Sequence, residues 1–154
     1  MNWRALLIGL WNFWPPLFGA GIRIEKVTPD FREMKIVLKK RWWNGNYVGT
    51  AYGGSMFSMT DPFYMVMLLR NLGPGYIVWD KSAAIEYLKP GKTHLYAHFL
   101  LTEKDLSDIK SALESQEKMD WPRTVEIIDE NKITVARVSK VLYIRKKKKE
   151  SPHV

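Results

Sequence analysis

Cysteine is absent from this 154-residue chain. That excludes disulfides, thiol nucleophiles and every Cys-ligated zinc or iron–sulfur site. It also suits a reducing compartment, and a cytoplasmic location is expected. Histidine is scarce, with three in all. His94 and His98 fall on a stretch that reads as a strand, which sets them about 13 Å apart, too far to share a metal. No metal and no separate cofactor is expected. There is no Walker loop and no Gly-x-Gly-x-x-Gly dinucleotide fingerprint. Ser55 lies in Gly-Gly-Ser-Met-Phe, which lacks the closing glycine of a nucleophile elbow.

Acidic residues are also in deficit: 16 Asp+Glu against 24 Lys+Arg give a net charge of +8. Part of the excess is the run Lys146–Lys149. Without residues 146–154 the body still carries +5, which suits an anionic partner: nucleic acid, an acidic membrane surface or a phosphorylated ligand such as coenzyme A. One uncharged stretch reaches the length of a membrane span, the 18 residues Ala5–Ile22 between Arg4 and Arg23. Pro15-Pro16 cut it, and Gly9, Asn12, Gly19 and Gly21 dilute it. As a signal peptide it has a weak cleavage site. The favoured reading is a short aromatic helix packed on the body or lying at an interface.

What is abundant is apolar surface. The composition is 46% hydrophobic and 13% aromatic, enough for one real core and, at this length, one domain. Residues 2–14 read as a helix stopped by Pro15-Pro16. Two strands follow, Gly21–Val27 and around Met34–Leu38, parted near Pro29-Asp30. Trp42–Tyr52 is a Gly- and Asn-punctuated loop. Ser55–Leu69 is apolar nearly all round, as a buried helix is, and Gly73-Pro74-Gly75 ends it. Tyr76–Leu88 is extended, and Leu95–Leu101 alternates as a strand. Asp105–Lys118 reads as an exposed helix, and Val125–Ile128 and Ile133–Tyr143 as strands joined at Asp129-Glu130-Asn131. The pattern is α+β: one antiparallel sheet with a buried helix to wrap. Residues 1–145 form the domain, and the basic tail 146–154 is read as disordered and solvated.

Within residues 42–69 the one ionisable acid or base other than tyrosine is Asp61. In such apolar company a carboxylate is expected to be desolvated and a better proton acceptor. Asp61-Pro62 reads equally as a helix N-cap and first-turn proline. Gly53-Gly54 precede the helix, where backbone can approach closely and free N–H groups can face an oxyanion. Read together, residues 46–61 are Asn46-Tyr-Val-Gly49-Thr-Ala-Tyr52-Gly53-Gly54-Ser-Met-Phe57-Ser-Met-Thr-Asp61. This resembles the active-site segment of hotdog-fold acyl-CoA thioesterases of the phenylacetate-pathway type, Asn-x-x-Gly-x-x-His-Gly-Gly-x-x-Phe-x-Leu-x-Asp, with the same spacing. Trp14-Pro15-Pro16, Gly19–Arg23, Val78–Lys81 and Leu88–Gly91 further resemble the tetrameric acyl-CoA thioesterase branch.

The resemblance implies a hotdog fold, an antiparallel sheet curled round a long central helix. It implies a backbone N–H of Gly53 or Gly54 polarising the thioester carbonyl, and Asp61 as general base or nucleophile. Asn46 and Tyr52 would be positioning groups. Tyr52 stands where the family has histidine; a phenol can donate a hydrogen bond but, with an ordinary pKa of about 10, it does not shuttle protons as imidazole does. In an unbroken helix Asp61 would lie about 10 Å along the axis from Gly54, so the site is expected to combine two subunits of a homodimer or homotetramer. Lys89 and Lys92, flanking a turn, are candidates for coenzyme A phosphates or are solvated lysines. The Met-rich helix suits a medium or long acyl chain, or an aromatic one.

A non-catalytic acyl-CoA or lipid-binding protein is the second expectation. A peripheral membrane protein, using the N-terminal aromatic helix and the basic tail, is the third. Trp42-Trp43 after Lys39-Lys40-Arg41 has the ingredients of a single-strand nucleic-acid site. Core or interface tryptophans are preferred there, and no nucleic acid is expected.

Overall fold

The computed structural model describes residues 10–147. In chain order the elements are helix α1 (Pro15–Ala20), strands β1 (Ile22–Val27) and β2 (Glu33–Leu38), helices α2 (Gly53–Ser58) and α3 (Phe63–Leu72), strands β3 (Tyr76–Tyr87) and β4 (Leu95–Leu100), helix α4 (Glu103–Ser115), and strands β5 (Lys118–Asp129) and β6 (Thr134–Lys146). The strands form one six-stranded sheet in the order β1-β2-β4-β5-β6-β3, and every neighbouring pair is antiparallel.

The prolines of the N-terminal segment do more than end a helix. Residues 10–12 are helical, the chain turns, and Pro15 then opens α1. A proline in a first turn has no N–H to leave unpaired and a φ already suited to helix. Residues 2–9 of the expected helix lie outside the described residues. Asn12 fixes this segment to β1, accepting from Ile24 N–H at 2.8 Å and donating to its carbonyl at 3.3 Å. Among the described residues no helix is long and apolar enough to cross a membrane.

Helix α1 ends at Gly21 with φ +81°, a left-handed conformation that glycine adopts without strain. A Cβ here would lie 2.9 Å from the Lys39 carbonyl oxygen and 2.3 Å from Nδ2 of the buried Asn44. Gly21→Ala is therefore expected to cost about 1–3 kcal/mol, read as a lowered Tm in thermal unfolding.

One face of the sheet holds the core. Ile36 and Leu38 of β2, Leu95, Ala97 and Phe99 of β4, and Val138, Leu142 and Ile144 of β6 are buried together under α2 and α3. Phe63 touches Phe99 with ring centroids 5.3 Å apart, and Tyr64 meets Trp121 edge-on at 5.4 Å. Helix α4 closes one end of the core with Leu106, Ile109 and Leu113. Thr102 and Asp105 make a full capping box at its start.

Three sequence expectations need correction. The long buried helix is two helices, broken over Met59–Pro62. Pro62 has no N–H for the Ser58 carbonyl, and its ring clashes with an unbroken turn. Strand β5 begins at Lys118 rather than Val125 and contains Pro122. Proline is tolerated because this half of β5 pairs with β6 alone; β4 joins only at Ile127–Asp129. Lys146, expected in the disordered tail, belongs to β6. Lys146 pairs with Tyr76 and Lys147 N–H donates to the Gly75 carbonyl at 2.8 Å, while residues 148–154 lie outside the described residues.

Candidate active site

Loop 40–52 delivers the glycine pair. Asn44 anchors it, accepting from Arg41 N–H at 2.7 Å and donating to the carbonyls of Lys39 and Ala20 at 2.8 and 2.9 Å. Asn46 closes the next turn: Nδ2 donates to Thr50 Oγ1 at 2.8 Å, and Oδ1 accepts from Thr50 N–H at 3.0 Å. The Asn46 amide is thus held by Thr50 within its own loop. Ala51 N–H donates to the Gly91 carbonyl at 2.7 Å, tying this loop to the β3–β4 turn.

Helix α2 starts at Gly53. The N–H groups of Ser55 and Met56 both turn back to the Tyr52 carbonyl. Among the described residues those of Gly53 and Gly54 have no acceptor. They are the two first-turn donors that a helix leaves to a cap or a ligand. A cleft of about 430 Å³ opens beside them, lined by Asn46, Gly53, Met56, Tyr87 and Lys89 among others. A Cβ on Gly53 would lie 2.8 Å from Tyr87 Oη, and the Tyr52 ring lies over Gly54. Tyr52 itself is 58% exposed.

The cleft therefore unites Asn46, Gly53 and Lys89 of the expected site. Gly54 and Tyr52 are the chain's next neighbours. Lys92 is exposed and outside its lining. Asp61 does not line it either; it sits in the break between α2 and α3 with a side chain 69% exposed. Two expectations for Asp61 are corrected. Its carboxylate is not desolvated within the single chain, because the apolar side chains around it in sequence turn inward while it turns out. Nor does it cap α3, whose N-cap is Pro62 with no side-chain cap bond.

Sequence reasoning missed Lys140. It is 1% exposed on β6, and its ammonium donates to the carbonyls of Thr60 at 2.8 Å and Asp61 at 2.5 Å. It also lies 2.9 Å from Asp80 Oδ1 and 3.8 Å from Asp61 Oδ1. The Asp80 contact is an ion pair poorly aligned as a hydrogen bond, since Oδ1 is buried and takes no well-directed donor. The signal was available: Ala136, Val138, Lys140, Leu142 and Ile144 share one face by the two-residue strand period, and four are apolar.

Burial pushes the Asp80 carboxyl above the ordinary value of 3.8; Lys140 offsets part of this and the Asp61 charge adds to it. A raised folded-state value means the folded chain holds the proton more tightly. This group's contribution to stability is full below the unfolded value, near 3.8, and is lost as pH rises through the raised one. Across that window Asp80→Asn should gain stability relative to wild type as pH rises, measured by urea unfolding at stepped pH. A difference that shrinks instead would reverse the sign.

Elsewhere, His94 Nδ1 accepts from Lys40 N–H at 3.1 Å and His98 Nε2 faces Glu33 at 3.1 Å. No cluster of three metal-ligating side chains occurs among the described residues. Trp42 and Trp43 are not core residues: Trp42 is 90% exposed, and the pair stack edge-on at 5.6 Å.

Comparison with known families places this arrangement. A family described as a domain of unknown function, DUF4442, matches residues 3–144. The chain belongs to the DUF4442 family. A comparison with curated proteins found no match. Among solved structures, this DUF4442 chain is similar to a Pseudomonas aeruginosa protein of unknown function called a probable thioesterase, with TM-score 0.83, 16% identity, and 94% of this chain and 96% of that one covered. It is similar to a thioesterase from Haemophilus influenzae, with TM-score 0.65, 13% identity and coverage of 96% and 92%. It is also similar to the E. coli PaaI protein from the phenylacetic acid degradation operon, with TM-score 0.63, 16% identity and coverage of 95% and 93%. These likenesses show the fold: DUF4442 here is a hotdog, its antiparallel sheet wrapped round the central α2–α3 pair.

Proposed function

We propose that this DUF4442 protein is a thioesterase that hydrolyses an acyl-coenzyme A to the free acid and coenzyme A, working in the cytoplasm as a homodimer or homotetramer. The observation that carries the reading is Gly53, at the start of a helix whose first two N–H groups have no acceptor, lining a cleft together with Lys89, with an exposed carboxylate, Asp61, on the same interrupted helix. The thioesterases among its structural neighbours support the same chemistry.

In this reading the thioester oxygen faces the Gly53-Gly54 end, where free N–H groups are aimed at the charge that develops on it. Asp61 takes a proton from water as the water oxygen attacks the carbonyl carbon. The tetrahedral oxyanion collapses, the C–S bond breaks, and the sulfur leaves with the proton as free thiol. Asp61 as nucleophile, forming a mixed anhydride that water then opens, gives the same products. Because Asp61 does not line the cleft of its own chain, it would serve the cleft of a second subunit. Lys89 in the cleft lining, and Lys92 beyond it, would meet coenzyme A phosphates. Met56 in the lining favours a medium or long acyl chain, or an aromatic one.

A second reading, an acyl-CoA-binding protein without turnover, draws on Tyr52 where the resembled family has histidine. Free-thiol release from a panel of acyl-CoAs decides between them. Turnover supports the enzyme; binding by calorimetry with no thiol release supports the binding protein; neither would remove both.

A further inference from the structure

The break in the central helix poses a hydrogen-bonding problem. The N–H groups of Met59, Thr60 and Asp61 still close back on Ser55, Phe57 and Ser58, but the next carbonyls, those of Thr60 and Asp61, receive no backbone N–H from α3. Thr60 is fully buried, so its carbonyl cannot turn to water, and an unpaired buried carbonyl is costly. Lys140 solves this from across the sheet, in contact with both the Thr60 and Asp61 carbonyls. A lysine on an inward row of a strand is rarely tolerated unless paired. Here Asp80 of β3 balances its charge, just before the irregularity in the β3–β6 register between Asp80 and Ser82.

We propose that Lys140 is a positioning residue of the Asp61 site: by holding the Thr60 and Asp61 carbonyls it fixes the break and sets where the Asp61 carboxylate points. The ammonium has three donors and three oxygens around it, two carbonyls and one carboxylate. That arrangement fixes the peptide between Asp61 and Pro62 in orientation as well as place. The Asp61 carboxylate, 3.8 Å from the same ammonium, is the fourth group, the one left facing out. Among the described residues the ion-pair partners of Lys140 are Asp61 from the break and Asp80 from β3, while Arg123, opposite it on β5, pairs with Asp105.

The proposal rests on the thioesterase reading for its kinetic effect, but the fixing of the break does not. The test uses the full chain and two variants, Lys140→Met and Lys140→Gln, whose amide can still donate to one carbonyl. Amide exchange over residues 59–63 should quicken about tenfold or more in K140M, less in K140Q, with the β2–β4 core unchanged. Thiol release should fall about tenfold or more in kcat for K140M, again less for K140Q, with KM within about twofold, because misplacing a reacting group slows chemistry rather than binding. If K140M does not fold, the K140Q values carry the test. Folded variants with wild-type exchange over 59–63, or with wild-type kcat, would overturn the proposal. So would a loss of thermal stability as their one change. A wild type that shows no thiol release at all would sink the thioesterase reading, while the exchange data would still decide whether Lys140 holds the break.

Discussion

Asp61→Asn is expected to lower kcat for thiol release by about 10²–10⁴-fold, the usual size of a general-base contribution. Its Tm should stay near that of wild type. The two halves of this result follow from different observations. The carboxylate is exposed and caps no helix, so exchanging one oxygen for an amide removes no packing and no helix cap. Lys140 grips the Asp61 carbonyl rather than chiefly its side chain, so the break survives. The amide cannot accept the proton from water. KM should change little, since binding relies on the cleft around Gly53 and Lys89.

Phe63→Ala is expected to give the largest loss of stability, about 3–5 kcal/mol for a fully buried phenylalanine, or roughly 10–15 °C in Tm for a chain of this size. Phe63 is the first residue of α3 and is fully buried. It packs between Phe99 of β4 at 5.3 Å and Trp11 of the N-terminal segment at 6.4 Å. No neighbour can collapse into the space cheaply, because the sheet below and the helix above are both fixed by hydrogen bonds. A fall of less than about 1 kcal/mol, read from urea unfolding, would mean the site relaxes far more than its packing suggests.

Much of this fold was legible in the sequence because its strands obey the two-residue period and its turns carry their own signals. Gly73-Pro74-Gly75 stops α3, whereas the Thr102–Asp105 capping box went unread and α4 starts at Glu103 rather than the expected Asp105. The rest depended on contacts distant in sequence. The interruption at Met59–Pro62 was half legible: Asp61-Pro62 reads as a helix start, but the apolar residues on either side read as one buried helix, and what stabilises the break is a lysine about eighty positions away. The first half of β5 was masked by Pro122, which local propensity places outside a strand. Its tolerance depends on β4 being too short to reach it. The glycine pair was legible as a motif, and the cleft it opens on was not, because Tyr87 and Lys89 come from the next strand and its turn. Asp61 was read as desolvated on the company it keeps in sequence, but a break in the helix turns that one side chain out of the core.

In the proposed mechanism Asp61 of one subunit and the Gly53 end of another act on one thioester. Subunit mixing tests it most directly. Asp61→Asn and Gly53→Val, the latter filling the cleft where Tyr87 already stands within 2.8 Å, are each prepared alone and after co-refolding, and thiol release from the best acyl-CoA is measured. In a dimer, random mixing leaves one intact site in each hybrid, so about a quarter of the wild-type rate should return from two inactive parents. A mixture as inactive as its parents would contradict the account, leaving either a site within one chain or no hydrolysis at these residues.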